Sequence, residues 1–193
     1  MSRITKLLLG ILLLIFTMGT SAQTYTSKSY KLTIAGTSTM HDWTSTATQV
    51  TVQSDFEIEN GVLEKINAAT VTVGTKSIKS NKNSGLMDSR THETLKAEKF
   101  PNITYSGVKV TNVQRSGSEA TVTVTGNLTI AGVSKPTDLV LKTKVLTNGD
   151  VEVSGSRKVK MSDHGIKAPV FMMGALKVGD EVKLDFQVVL HKK

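Results

Sequence analysis

Cysteine is absent from the 193 residues. That excludes a disulfide framework, thiolate metal ligation and a lipid-modified N-terminal cysteine, so core burial alone must hold the fold. Aromatic residues make up only 5% of the chain, and none alternates with basic residues in the stacking pattern of single-strand nucleic-acid binders. No nucleic-acid partner is expected. After the N-terminus no stretch is apolar enough to span a bilayer, which takes about 20 residues. Glycine-rich phosphate loops, Gly-x-Ser-x-Gly elbows, internal repeats and low-complexity linkers are also lacking.

What is present begins with an export signal. Arg3 and Lys6 precede an almost wholly apolar run from Leu7 to Met18, followed by Thr20-Ser21-Ala22 and then polar sequence from Gln23. This is the charged, apolar and small-residue order of a cleaved secretory signal peptide. Residues 1–22 are read as that signal, which predicts a periplasmic or secreted protein. The formal charge is +8, and loss of Arg3 and Lys6 leaves +6. Such a balance favours anionic partners, including transient contact with an anionic membrane surface.

The dominant period in the remainder is two. Ala120, Val122, Val124, Gly126, Leu128 and Ile130 alternate with Thr121, Thr123, Thr125, Asn127 and Thr129. Val182, Leu184, Phe186, Val188 and Leu190 repeat the pattern against Glu181, Lys183, Asp185 and Gln187. Shorter runs occur at Tyr30/Leu32/Ile34, Val50/Val52, Phe56/Ile58, Ala69/Val71/Val73, Ile103/Tyr105 and Val151/Val153. Alternation of this kind describes half-buried strands. Asn60-Gly61, Ser116-Gly117, Asn148-Gly149 and Gly179-Asp180 supply turn signals between them. The expected fold is all-β, an antiparallel eight-stranded barrel or a sandwich forming one domain. Met87 to Lys96 lacks the alternation and predicts one short helix, capped by Asp88 or Ser89. Ser77 to Gly85 reads as a mobile loop.

Candidate chemistry is sparse. No two of His41, His92, His164 and His191 are spaced as ligands on one helix, so no metal is expected. His41-Asp42 and Asp163-His164 are adjacent pairs, but neighbours on a strand point to opposite faces and form no ready dyad. The apolar inventory is richer. Met172-Met173 follows Phe171 within the run Ala168 to Leu176, and methionine suits a wall that accepts a flexible chain. Inward faces built from Val, Ala and Gly, at Ala120 to Gly126 and Ala69 to Val73, suggest an unfilled barrel. The expected wall residues are Leu184 and Phe186, then Phe171, Met172, Ile130 and Leu128. A ligand with a polar end needs a head-group site, for which Lys79, Lys82 and Arg90 are candidates near the short helix.

Three stretches in order are similar to the YceI-like family of exported, lipocalin-like barrels. They are Gly36-Thr37-Ser38-Thr39-Met40-His41-Asp42-Trp43; Gly85-Leu86-Met87-Asp88 through Leu95 to Tyr105; and Gly126 to Lys135 with Asp163-His164-Gly165-Ile166 and Val178 to Val182. The resemblance covers Tyr30 to Leu190 and implies a lipid- or polyisoprenoid-binding β-barrel domain over 23–193, with no catalytic residues and no cofactor. The sequence departs from the commoner family pattern at Leu95 to Phe100 and at His164. Two other functions compete: a structural or adhesive β-domain with a packed interior, and a hydrolase using His41 or His164. The signal reading predicts that the intact mass of exported protein starts at Gln23. A soluble species retaining residues 1–22 would contradict it.

Overall fold

Every alternating stretch of the sequence lies in a strand. The computed structural model describes residues 23–59 and 62–193; the expected signal segment and the Asn60-Gly61 turn lie outside them. The strands are β1 (Gln23–Ser38), β2 (Trp43–Ala47), β3 (Val50–Glu59), β4 (Val62–Gly74), β5 (Ile78–Ser80), β6 (Asn102–Ser116), β7 (Glu119–Ile130), β8 (Val133–Val145), β9 (Val151–Lys160), β10 (Val170–Phe171) and β11 (Leu176–Lys192). One helix, α1 (Gly85–Thr94), separates β5 from β6. Antiparallel pairing in the order β1-β3-β4-β6-β7-β8-β9-β11, with β11 returning to β1, closes an eight-stranded barrel.

On its edge away from β11, β1 serves two partners. Its first half pairs with β3 and its second with β2, which in turn carries β5. Side chains bridge the gap between them: the Tyr30 hydroxyl donates to the Thr48 carbonyl at 2.7 Å, and the Val52 N–H donates to Ser27 Oγ at 3.2 Å. Thus part of the segment expected as a loop, 77–85, is strand β5. α1 also starts earlier than its sequence suggests. Its cap is Ser84, whose Oγ accepts from the Met87 N–H. Asp88 instead accepts from the Ser80 N–H at 2.6 Å and ties the helix to β5. Gly179-Asp180 is not a turn but part of β11, at a register shift where the pairing passes from Gly36↔Val182 to Ser38↔Val178.

The two ends of the barrel differ. At the end holding the first residues of β1 and the last of β11, Tyr25, Leu63, Val122, Val124, Val151 and Leu190 are almost fully buried. This closed end is locked by Asp150, itself buried. Its carboxylate accepts from Lys28 Nζ at 2.8 Å and Asn148 Nδ2 at 3.0 Å, and lies 3.1 Å from His191 Nδ1. Three chain segments therefore converge on one side chain. Hydrogen bonds from Lys28 and His191 hold the Asp150 carboxyl below the usual carboxylate range, against an opposing effect of burial.

A depressed folded pKa means that this lock is in place above the unfolded value of about 3.9 and is lost as pH falls through the folded value. Asp150→Asn should lower the melting temperature at neutral pH, and the gap from the wild type should narrow as pH drops below about 4. Melting curves of both proteins that stay parallel from neutral to acid pH would contradict the lock.

Candidate functional site

Two glycines decide how the lumen is filled. A Cβ placed on Gly126 would lie 2.7 Å from the Tyr105 ring, and one on Gly155 would lie 2.6 Å from the Phe186 ring. Each ring lies across a glycine of the neighbouring strand, so the small residues are seats for aromatic rings rather than empty space. Trp43 lies over Gly36 in the same way at the mouth. The inward face of β7 is accordingly packed: Val122 and Val124 have 0% exposure. The expectation that Ala120 to Gly126 borders a cavity is corrected on this point.

Room remains on the opposite side. Along β11 the inward residues Val188 and Leu190 are buried, whereas Val182, Leu184 and Phe186 on the same face are only half-buried. Their partners across the strands, Ile34 and Leu32 of β1, are also half-buried. Leu139 and Ile103 share this state. Inward apolar side chains are thus less covered in the mouth half of the barrel, its upper lumen, than at the closed end.

The expected wall residues are dispersed relative to that lumen. Leu184 and Phe186 lie on that less covered inward face. Leu128 is buried in the core opposite Tyr105, and Ile130 is half-buried at the β7–β8 turn. Phe171 sits at the mouth on β10, where the Arg90 guanidinium lies 5.8 Å from its ring centre. Met172 is 68% exposed and Met173 wholly so. Both have φ of +53° in the tight turn between β10 and β11, which swings them off the strand faces. Met172 is thus on the rim, not in the wall.

The head-group candidates surround α1. Lys79 Nζ lies 3.5 Å from Asp88 and Arg90 Nη1 lies 2.8 Å from Glu93. Those carboxylates offset the field the two cations offer an anion. Lys82 makes no salt bridge among the described residues. Neither weighed histidine meets an acid. His41 Nδ1 lies 3.1 Å from the Asp42 backbone carbonyl, and His164 Nδ1 lies 3.0 Å from the Val133 carbonyl. The His–carboxylate contact that does form, His191 with Asp150, belongs to the closed end.

A cavity of about 180 Å³ that no sequence motif signals lies between the mouth ends of β8 and β9. These strands pair only from Leu141↔Gly155 to Val145↔Val151, although each runs on toward the mouth. Above Leu141 they part, held by β7 and β11 respectively. Lys135, Thr137, Arg157, Val159, Asp163 and His164 line the resulting fork, together with Pro136 and Lys158. Beneath it the Tyr105 hydroxyl donates to the Thr137 carbonyl at 2.9 Å. Burial, and secondarily Asp138, push the Tyr105 phenol up to about 12, while Arg157 acts in the opposite direction. The phenol therefore stays protonated as a fixed donor.

A family model described as the YceI-like domain matches residues 21–190. The curated "Protein YceI" of Salmonella arizonae is 33% identical over 118 residues, which cover 58% of this chain and 56% of that protein. The chain thus matches little more than half the length of that relative. Among solved structures, a polyisoprenoid binding domain from Saccharophagus degradans covers 90% of this chain and 100% of its own at a TM-score of 0.67 and 13% identity. BcnA of Burkholderia cenocepacia covers 83% and 95% at a TM-score of 0.61 and 17% identity. At such identities these two show a shared fold. The extent of the family match carries the assignment: the chain belongs to the YceI-like domain family.

Proposed function

We propose that this is an exported binding protein that holds a lipid or polyisoprenoid chain in the upper lumen, acting as a carrier or reservoir. The observation that carries this reading is the half-buried state of inward apolar residues such as Leu184, Phe186 and Ile34, above a fully packed closed end. Leaving those surfaces wet forfeits the gain from burial, about 0.8 kcal/mol per methylene covered. An apolar chain would recover it. A chain already dissolved in a bilayer gains little by the same transfer, so selection rests on shape and on the polar end. That favours reversible loading over tight sequestration. The Saccharophagus domain described as polyisoprenoid binding supports the ligand class.

The mouth suits loading from a membrane. Met40, Leu86, Val170, Met172 and Met173 are exposed large apolar residues. The Thr39 hydroxyl and N–H bond to the carbonyls of Ala175 and Lys177, which brings Met40 beside the turn bearing Met172 and Met173. Arg90 over Phe171 brings the helix, and Leu86 one turn before it, to the same rim. Lys79, Lys82 and Arg90 flank this apolar patch and would meet an anionic surface.

Organic extraction of protein purified natively from its exporting host should yield about one lipid per chain. Lipid-free protein would favour the structural β-domain. Truncation adds a second check. Leu63→Ala at the closed end should cost about 2–5 kcal/mol, and Phe186→Ala less than the ~3–5 kcal/mol of a packed phenylalanine, with reduced lipid content. A full core-sized loss at Phe186 with lipid content unchanged would count against an open lumen.

A further inference from the structure

The fork between β8 and β9 is a built site that the lumen alone does not require. We propose that it binds the phosphate end of the ligand, with Arg157 and Lys135 supplying charge and His164 a fixed ring nitrogen. This rests on the lipid-binding reading and adds the chemistry of the head group.

Register places both cations toward the lumen. Arg157 pairs with Leu184 and Lys135 with Leu128, so they start from the faces of those inward residues, and both side chains are exposed at the mouth. Neither makes a salt bridge among the described residues, unlike Lys79, Arg90 and Lys76 around α1. Lys158 borders the same cavity but is paired with Glu181 at 2.8 Å. Asp163 is the one carboxylate in the lining, against the two uncommitted cations.

His164 is 2% exposed and lies on a short turn that is itself fixed. The Ser162 hydroxyl and N–H donate to the two Asp180 carboxylate oxygens at 2.6 and 2.8 Å, which pins that turn to β11. Since the Val133 carbonyl only accepts, His164 Nδ1 carries the proton in that contact. Its Nε2 makes no hydrogen bond among the described residues and remains for a ligand. With the proton on Nδ1, Nε2 presents a lone pair: it can accept from a protonated phosphate oxygen and donates to an ionised one only when the ring carries a second proton, so the two unpaired cations supply the main attraction for a phosphate.

Size agrees with a head group. About 180 Å³ is below the ~300–1,000 Å³ of pockets that enclose drug-sized ligands, but ample for a phosphate group whose tail leaves by another route. That route exists: Arg157 faces Leu184, and Phe186 lies next along the same face of β11. A phosphate in the fork would thus deliver an apolar tail onto the half-buried wall.

Calorimetric titration with geranylgeranyl pyrophosphate, geranylgeraniol and inorganic pyrophosphate tests this. The wild type should bind the prenyl pyrophosphate about tenfold or more tightly than the alcohol, the scale of charge-assisted hydrogen bonds. Lys135→Gln with Arg157→Gln should abolish that preference and leave alcohol binding within about twofold, because apolar burial is unchanged. Arg157→Lys should retain part of the preference, and Lys79→Gln with Arg90→Gln should retain it all. Equal wild-type affinity for alcohol and pyrophosphate would overturn the head-group site while leaving lipid binding intact, as would a preference that survives the double variant. Inorganic pyrophosphate binding as tightly as the prenylated form would overturn it in favour of a free-anion site. Binding of no prenyl probe at all would overturn the lipid-binding reading with it.

Discussion

Pairing of the first described strand with the last, from Tyr25↔Lys192 to Ser38↔Val178, is the constraint on which the rest depends. It converts an open antiparallel meander into a barrel without sheet edges along its eight staves. Closure with eight strands also sets the interior width, enough for packed side chains or one slender ligand. It brings Lys28 on β1 and His191 on β11 to the Asp150 carboxylate, so the closed end is fastened where the circle is completed. Strands held on both sides by such a circle can part locally without unravelling. The β8–β9 fork is one place where they do.

Within that fixed circumference, the division between packed and open lumen follows from where aromatic rings lie. Tyr105 lies against Gly126 and is anchored through its hydroxyl, which fixes the packing between β6 and β7. Phe186 lies against Gly155 with no polar anchor and belongs to the half-buried wall. The same contact type thus closes one side and leaves the other adaptable. Polar groups concentrate at the two ends: the Asp150 cluster at the closed end, and Arg157, Lys135 and His164 at the mouth. An apolar tail with one polar terminus fits that distribution better than a ligand polar along its length.

Strand identity was legible because period-two alternation depends only on neighbours along the chain. The eight-stranded closure followed from the number of such runs and from the family resemblance. Short strands were not legible. β5 and β10 owe their state to pairing with β2 and β11, and nothing local in Ile78–Ser80 or Val170–Phe171 specifies it. Leu184 and Phe186 were correctly placed facing inward by their alternation. Met172 was misplaced because a turn with positive φ overrides strand periodicity. Composition misjudged Gly126, since a glycine's place in the sequence does not show the ring that covers it. Lys135 and Arg157 drew no attention among many lysines in strand-like sequence. Only cross-strand register shows that they face inward while Lys158 turns out to Glu181.

An apolar chain in the upper lumen should stop at the packed closed end. Methyl-resolved NMR during titration with a prenyl alcohol addresses it directly. Shifts are expected at Ile34, Leu139 and Leu184, with the fully buried Val122, Val124 and Val151 unmoved. Perturbation confined to exposed methyls such as those of Val140 and Leu86, with the lumen set silent, would contradict it.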